Sequence, residues 1–204
     1  MTHVHVVYAH PSERSFTREV LDAFLGGLDS GGHTHTISDL YAMGFRPELT
    51  LAEYERESAY DAGAPVPDDV AAEQAKLNAA EVWAFLYPVW WADCPALLKG
   101  WFDRVWTVGF AYKPTGLRVA ARALVMCTAG YGIAELEASG CHRAMRTTML
   151  TDRIGERARS SEFIVFGGTL QRNDDGDGWK AARAAHLARA ADLATSIGAE
   201  CLGG

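Results

Sequence analysis

The first stretch of this sequence whose residues could do chemistry runs from His10 to Thr17, between an apolar run and a helical pattern. Ser12, Ser15 and Thr17 supply hydroxyl groups, and His10 or Arg14 can add positive charge. Free backbone N–H groups and the helix dipole at the start of a helix favour an anion. The stretch lacks the G-x-G-x-x-G and P-loop patterns, and its serines are equally suited to cap a helix. An anion site and an ordinary N-cap are therefore both open.

A second stretch places Trp90 and Trp91 at the end of an apolar run, between Pro88 and Pro95. Two tryptophans at the end of a strand are unfavourable in water unless a flat apolar partner covers them. A planar aromatic ligand would cover them, and the rigid loop would present backbone groups to the edge of that ligand. The alternative is that both indoles pack under neighbouring loops. The pattern favours the ligand.

A third stretch, residues 128–132, contains Gly130 and Gly132, which let main-chain N–H groups approach a ligand closely. Such donors can stabilise negative charge on a bound ring. A tight turn that needs positive φ explains the same glycines equally well. The three stretches gain weight together, because each follows an apolar run and the three runs are expected to belong to one sheet.

Apolar runs alternate with helical patterns along the chain, and this alternation predicts an α/β fold. The predicted strands cover residues 4–9, 33–37, 82–87, 123–127 and 163–166. The predicted helices cover residues 16–28, 49–60, 68–80, 95–106, 135–150 and 179–197, with Asp68 or Asp69 as a cap of the third. Without a repeat or a linker, residues 1–204 are expected to form one domain. A doubly wound sheet of five parallel strands binds ligands outside the carboxyl ends of its strands, where the three stretches lie.

Composition and charge argue against several classes of protein. Hydrophobic residues make up 49% and charged residues 22% of the 204 residues, the balance of an ordinary globular domain. A net charge of −7 argues against nucleic acid as a partner, because phosphate binding needs clustered Lys and Arg. Neither a membrane helix of roughly 20 apolar residues nor a secretion signal is expected. Four widely spaced cysteines, at positions 94, 127, 141 and 201, indicate reduced thiols in the cytoplasm.

Two further patterns resemble metal sites only weakly. His3 and His5, like His33 and His35, would share one face of a strand, and these two strands could be neighbours, but neither a Cys nor a carboxylate accompanies them. Residues 174–178 resemble a calcium loop without its closing glutamate, which favours a solvated turn. No metal is therefore expected. The thiols at positions 94 and 127 lie near strand ends, where buried cysteines are usually inert.

Longer parts of the sequence match the pattern of a known family. They are Ala9-His10-Pro11 with Ser15-Phe16, residues 38–45, residues 72–77, Tyr87-Pro88, residues 95–105, residues 109–112 and residues 127–130. Together they resemble the NAD(P)H:quinone oxidoreductase family, which are flavoproteins with a flavodoxin-like fold. The resemblance runs from residue 4 to about residue 170, and the block from Pro95 to Tyr112 is its most specific part. It implies a five-stranded parallel sheet in the order 2-1-3-4-5.

The resemblance also implies which residues hold the flavin. The phosphate-bearing chain would be held by His10, Ser15, Phe16 and Thr17. The isoalloxazine ring would be contacted by Pro88, Val89, Trp90 and Trp91, and its pyrimidine end by Thr128, Ala129 and Gly130. Most quinone-reducing members use FAD and related reductases use FMN. FAD is therefore expected, with FMN as the alternative.

The catalytic residues follow from the resemblance less directly. Family members often have a Tyr and a His beyond the glycine loop, which stabilise charge as hydride reaches the flavin. His142 fits the position of the His, whereas the position of the Tyr falls near Glu135. Either Tyr131 has taken over this role or the element is absent. Tyr112 would line the pocket of the electron acceptor.

The resemblance finally implies a homodimer whose catalytic pocket lies at the subunit boundary. The helix predicted over residues 95–106 has apolar residues at too many angles for one stripe, so a partner subunit or a neighbouring helix should cover its outer face. The implied activity is hydride transfer from NAD(P)H to a quinone-like acceptor in a ping-pong cycle. The alternatives are an azo- or nitroreductase, a one-electron flavodoxin carrier, and a non-catalytic regulatory subunit of a potassium-efflux system.

Overall fold

Five parallel strands form one sheet at the centre of the molecule. The computed structural model describes residues 1–170 and 177–197. The strand order is β2-β1-β3-β4-β5, and every neighbouring pair is parallel. The predicted fold class and strand order are confirmed. The strands are β1 (His3–Tyr8), β2 (Thr34–Asp39), β3 (Val82–Pro88), β4 (Arg122–Thr128) and β5 (Ser161–Phe166).

Helices connect the strands and cover both faces of the sheet. In the described part of the chain they are α1 (Phe16–Ser30), α2 (Leu51–Ser58), α3 (Asp68–Ala79), α4 (Ala96–Val105), α5 (Ile133–Ala138), α6 (Cys141–Arg146) and α7 (Asp177–Thr195). A π-helical segment, Thr147–Ile154, follows α6, and a short 3-10 helix, Gly155–Arg157, follows that segment. None of the helices within residues 1–170 and 177–197 has the length and hydropathy needed to cross a bilayer. Most of the calcium-like stretch, and Cys201, lie outside the described residues.

The central strand β3 is buried on both faces. Val82, Ala84 and Leu86 pack in the core beneath α1 and α7. Trp83 and Phe85 pack in the core beneath α3 and α4. A strand in this position must be apolar throughout, which is why a continuous apolar run predicted it.

Helices α1 and α7 pack closely on one face of the sheet. A Cβ atom at Gly27 would lie 2.3 Å from the carbonyl oxygen of Ala191, so only glycine fits at this contact. Arg183 of α7 also bonds to Glu19 of α1 at 2.7 Å. This packing fixes α1 on the sheet and with it the loop that precedes the helix.

The outer side of α4 is covered by a segment of the same chain, which runs from Pro47 through α2 to the start of α3. The Arg104 side chain is fully buried, and its guanidinium bonds to Glu53 at 2.7 Å and to Asp69 at 2.5 and 3.0 Å. A Cβ atom at Gly100 would lie 2.4 Å from the carbonyl oxygen of Pro47. Neighbouring parts of the same chain therefore account for the second covered face of α4, and this face does not by itself require a partner subunit.

Two helix predictions were wrong in detail. The helix predicted over residues 135–150 is interrupted, because Gly140 has a φ of 79° and separates α5 from α6, and the chain continues as a π-helix. Neither Asp68 nor Asp69 caps α3, since Pro67 occupies the N-cap position without a side-chain hydrogen bond. Asp69 instead accepts a hydrogen bond from the buried Arg104.

The paired histidines of β1 and β2 lie on opposite faces of the sheet. His3 is in register with Thr34 and His5 with Thr36, so His35 points to the other face. The ring nitrogens of His3 and His5 contact these threonine hydroxyls, each at 2.9 Å. Among residues 1–170 and 177–197, no three His, Cys, Asp or Glu side chains come together as a metal site.

A buried polar network joins β1 to α3 and α4. Glu73 is fully buried and accepts hydrogen bonds from Ser38 at 2.9 Å, Lys76 at 2.5 Å and Trp101 Nε1 at 2.9 Å. The Nε2 atom of His5 lies 4.0 Å from Glu73. Burial lowers the pKa of His5 to about 4, because it outweighs the opposing attraction of Glu73.

The buried His5 should make the stability of the fold depend on pH. Its pKa is about 4 in the folded protein against an ordinary value of 6.5, and the charged or titratable groups that act on it are Glu73, Lys76 and His3. The unfolded chain therefore takes up the proton first as the pH falls. His5 by itself should lower the free energy of unfolding by about 2 kcal/mol between pH 7 and pH 5. Urea unfolding at both pH values should therefore give a drop that is about 2 kcal/mol smaller in His5→Leu than in the wild type; an equal drop in the two proteins would contradict the explanation.

Candidate functional site

The carboxyl ends of β1, β3, β4 and β5 surround one cleft with a volume of about 210 Å³. Its walls are formed by His10, Ser15, Phe16, Thr17, Pro88, Val89, Trp90, Thr128, Gly130 and Thr169. Nine of the eleven residues predicted to hold a cofactor are among them, all except Trp91 and Ala129. The three stretches singled out in the sequence therefore converge on one space.

The first wall of the cleft is the start of α1. Ser15 is the N-cap, and its Oγ accepts the N–H of Arg18 at 3.0 Å. The N–H groups of Phe16 and Thr17 belong to the first turn, where a helix offers them no carbonyl partner. These groups carry the positive end of the helix dipole. The N-cap is thus present, and the wall that it begins is suited to an anion.

His10 supplies the cleft with an uncharged polar ring. Its Nδ1 lies 2.9 Å from the backbone nitrogen of Ser12 and 3.1 Å from the carbonyl oxygen of Ser12, and the tautomer of the ring decides which of these contacts is a hydrogen bond. Burial lowers the pKa of His10, and the contact with Ser12 opposes this effect only in part. The ring is therefore uncharged at neutral pH, although the sequence allowed it to add charge. Arg14 is exposed and does not line the cleft.

The second wall is a tight turn, Trp90 to Asp93. The N–H of Trp90 bonds to Asp93 O at 3.0 Å, and the N–H of Asp93 to Trp90 O at 3.1 Å. The two central residues, Trp91 and Ala92, have φ angles of 53° and 58°, in the left-handed region. Trp90 lines the cleft and is 43% exposed, whereas Trp91 is 100% exposed. Neither indole is buried under a neighbouring loop, which was the alternative.

The third wall is the loop that follows β4. Thr128 Oγ1 lies 2.7 Å from Thr17 Oγ1, a buried hydrogen bond that ties this loop to α1. The carbonyl oxygen of Thr128 accepts the N–H of Val89 at 2.8 Å, which ties the loop to the second wall. Ala129 is buried and its N–H bonds to β5, so Gly130 forms the surface of the loop in the cleft. Hydrogen bonds therefore hold the three walls to one another.

A fourth strand end, which the sequence reasoning missed, also reaches the cleft through Thr169. The backbone of residues 168–170 bonds to that of residues 129–131 through three N–H···O contacts of 3.1 Å. A signal for this wall was available. Gly167-Gly168 directly follows β5, at the same edge of the sheet as the other three loops.

The two residues implied to be catalytic do not line the cleft of their own chain. Tyr131 is 58% exposed. His142 is half-buried, with its ring edge-on to Phe163 and 5.7 Å between the ring centroids. Glu135, near the position where family members have a Tyr, accepts the N–H of Gly132 at 2.8 Å and so caps α5.

Tyr112 lies in a separate groove of about 230 Å³ beside α4 and the π-helical segment. Its hydroxyl donates to Glu57 at 2.6 Å, and burial, together with this carboxylate, raises the pKa of Tyr112 to about 12. A larger cavity of about 510 Å³ shares Asp152 and Arg157 with this groove. Volume alone does not identify the candidate site, because the start of α1 and the glycine loop after β4 lie at the smaller cleft of about 210 Å³.

The cysteines near the site are unreactive, as the sequence predicted. Burial raises the pKa of the Cys94 thiol to about 12 and raises that of Cys127 as well. Both thiols are therefore protonated at neutral pH and do not act as nucleophiles.

Comparison with known proteins identifies the family. The family model described as a flavodoxin-like fold matches residues 2–188. The chain belongs to this flavodoxin-like family. It is similar to the NAD(P)H:quinone oxidoreductase from Methanothermobacter marburgensis, with 43% identity, a TM-score of 0.89 and coverage of 96% of each chain. The resemblance drawn from the sequence is confirmed.

Two curated relatives of this flavodoxin-like protein are similar over part of their length. Ribosyldihydronicotinamide dehydrogenase (quinone) from Pongo abelii is 35% identical over 64% of this chain and 64% of the relative. NAD(P)H dehydrogenase (quinone) 1 from Rattus norvegicus is 39% identical over 52% of this chain and 44% of the relative. The chain therefore spans less than two thirds of the length of these relatives.

Proposed function

We propose that this flavodoxin-like protein is a flavin-dependent oxidoreductase that passes hydride from NAD(P)H to a quinone-like acceptor. The cleft carries the proposal, because a free helix start, an indole-bearing turn and a glycine loop are held together around one space. A flavin has parts that match these walls: a phosphate-bearing chain, a flat ring and a pyrimidine edge that accepts hydrogen bonds. The similarity to quinone oxidoreductases supports the choice of acceptor.

The proposed cofactor is FAD, with FMN as the alternative. The N–H groups of Phe16 and Thr17, together with the side chains of Ser15 and His10, would hold the phosphate-bearing chain. None of these donors is charged at neutral pH, so binding would rely on the helix dipole and on hydrogen bonds. Both flavins have a phosphate at this place, and the first wall suits either of them.

The ring would lie between the second and third walls. Pro88, Val89 and Trp90 would contact the isoalloxazine, and Thr128 and Gly130 its pyrimidine end. Trp91 and Ala129 belong to the same two loops and are also proposed to hold the ring. Neither residue lines the cleft of the flavin-free chain, in which Trp91 is fully exposed and Ala129 is buried.

The protein would contribute position and electrostatics to the reaction. A bound flavin supplies the redox chemistry, because its ring can take up a hydride and pass it on. The glycine loop would place backbone donors near the pyrimidine end, where they favour negative charge. The protein would hold NAD(P)H and then the acceptor against the ring, each in its turn, as in a ping-pong cycle.

A homodimer would complete the site. Tyr112, Tyr131 and His142 do not line the cleft of their own chain, and the family resemblance implies a pocket at the subunit boundary. We assign Tyr112 to the acceptor pocket of a dimer. His142, with Tyr131, would stabilise negative charge near the reduced ring.

The proposed location of this enzyme is the cytoplasm. Cys94, Cys127 and Cys141 are free thiols, as expected in a reducing compartment. Small molecules are its proposed partners, and the net charge of −7 argues against nucleic acid.

The purified protein should be yellow, or should retain yellow colour after incubation with FAD or FMN and removal of the unbound flavin, and it should then oxidise NAD(P)H when a naphthoquinone is present. Initial rates at several fixed naphthoquinone concentrations should give parallel double-reciprocal lines, the sign of a ping-pong cycle. A protein that is colourless after the unbound flavin has been removed, with both FAD and FMN, contradicts the proposal. Flavin binding without NAD(P)H oxidation would indicate an electron carrier or a regulatory subunit, and a strong preference for azo or nitro compounds would indicate a reductase of those acceptors.

A further inference from the structure

The turn from Trp90 to Asp93 holds an unfavourable conformation. Trp91 and Ala92 both have φ angles in the left-handed region, at 53° and 58°. Two-residue turns of this kind prefer Asn-Gly, because each ordinary L-residue makes the conformation about 5- to 30-fold less populated. Backbone strain of this kind persists only where the surrounding structure holds it.

Asp93 fixes the end of this turn. Its carboxylate accepts the N–H of Cys94 at 2.7 Å and two guanidinium nitrogens of Arg153 at 2.9 and 3.2 Å. A bidentate pair fixes orientation as well as distance. Burial acts to raise the pKa of Asp93, but the hydrogen bonds from Arg153 and Cys94 outweigh it and lower the pKa. The pair is therefore ionised at neutral pH.

Arg153 is itself held in place on several sides. It belongs to the π-helical segment, Thr147–Ile154, and its side chain is 5% exposed. One guanidinium nitrogen also lies 3.1 Å from Cys94 Sγ and 3.0 Å from Met149 Sδ. The guanidinium carbon lies 5.4 Å from the centroid of the Phe102 ring. These contacts fix the guanidinium, and the guanidinium in turn fixes Asp93.

We propose that the Arg153–Asp93 pair is a positioning device, which sets the affinity of the cleft for a flat ring by holding the turn that bears Trp90. Neither residue lines the cleft, so both act through the turn. The inference rests on the proposed function, because the flavin ring is the ligand that Trp90 would contact. Loss of the pair should release the second wall and leave the first wall, at the start of α1, unchanged.

Three substitutions separate this role from general stability. Asp93→Asn and Arg153→Lys keep the approximate size of each side chain and remove the bidentate ion pair. Ala92→Gly lowers the cost of positive φ, so the turn should depend less on the pair. Asp22→Asn is the matched control, since Asp22 pairs with Arg18 at 2.8 Å on the exposed side of α1.

Hydrogen exchange of the Trp90 amide in the flavin-free protein reports on the turn directly, because this N–H bonds to Asp93 O. We expect exchange to be about tenfold faster in Asp93→Asn and Arg153→Lys and unchanged in Asp22→Asn. Riboflavin has the ring but no phosphate, and its Kd should rise about tenfold in the same two variants. Adding Ala92→Gly to either variant should restore most of the affinity for riboflavin. If the variants bound riboflavin weakly because the whole fold was destabilised, Ala92→Gly would not restore the affinity.

The outcomes are distinguishable. Unchanged Trp90 exchange in both variants overturns the proposal whatever the flavin does. Faster exchange with unchanged riboflavin affinity also overturns it, because the turn would then not set ring binding. A wild-type protein that binds neither riboflavin nor FAD overturns the proposed function, and with it the ring-binding role, while the exchange rates still show whether the pair holds the turn. Faster exchange, weaker binding and recovery with glycine together support the proposal.

Discussion

Replacing Ser15 by Asp should weaken the binding of FMN and FAD at least about 100-fold while leaving the fold intact. Asp caps a helix as well as Ser does, so Ser15→Asp should keep the hydrogen bond from the N–H of Arg18. The new carboxylate would stand where the flavin phosphate is proposed to bind. Two like charges about 4 Å apart near a protein surface repel by about 4 kcal/mol, which exceeds 100-fold in Kd. Titration followed by flavin fluorescence measures the change.

Two controls isolate the charge at this position. Ser15→Asn caps the helix without a charge and should bind FMN much more tightly than Ser15→Asp. Riboflavin lacks the phosphate, so the wild type and Ser15→Asp should bind it almost equally. If Ser15→Asp and Ser15→Asn had the same affinity for FMN, the start of α1 would not be the phosphate wall.

Replacing Arg104 by Met should lower the free energy of unfolding by about 3–5 kcal/mol, the largest effect that we expect on stability. The Arg104 side chain is fully buried and Glu53 is 8% exposed, so the substitution leaves a nearly buried carboxylate whose remaining charged neighbour is the half-exposed Arg46, 3.7 Å away. Asp69 is 41% exposed and can be rehydrated, so it should contribute less to the loss. Urea unfolding followed by tryptophan fluorescence gives the value.

The double variant Arg104→Met with Glu53→Gln tests the reason for this loss. The new amide side chain would be neutral but could still accept the N–H of Thr50, which bonds to Glu53 at 2.7 Å. The double variant should therefore recover about 1–3 kcal/mol of the loss in the single variant. A double variant less stable than Arg104→Met alone would show that the unpaired charge is not the cause.

Much of the fold could be predicted because each element has a local pattern. The run at β3 is apolar throughout because both of its faces are covered. Pro95 directly precedes α4 because a backbone N–H at the start of a helix has no carbonyl partner within the helix, so the N–H that proline lacks is not missed there. Local patterns were misleading where another part of the chain competes for a residue. Asp69 suits a cap, yet it bonds to Arg104, which lies 35 positions later.

The position of the candidate site could be predicted for a different reason. The carboxyl ends of parallel strands share one edge of the sheet, so loops after β1, β3 and β4 must lie near one another. The same rule, applied to Gly167-Gly168 after β5, would have found Thr169 as well.

Contacts between distant side chains could not be predicted from spacing. Arg153 and Asp93 lie 60 positions apart, and many other acidic residues were available as partners. The left-handed conformation of Trp91 and Ala92 was equally hidden, because both residue types disfavour it. The ion pair and the left-handed turn come together only because the π-helical segment packs beside this turn.

A crystal structure of the protein soaked with FAD would test the flavin site most directly. We expect the phosphate groups at the N–H groups of Phe16 and Thr17, and the ring against Pro88, Trp90 and Gly130. A flavin bound elsewhere on the molecule, or a cleft that stays empty at saturating FAD, would contradict the redox function proposed for this protein.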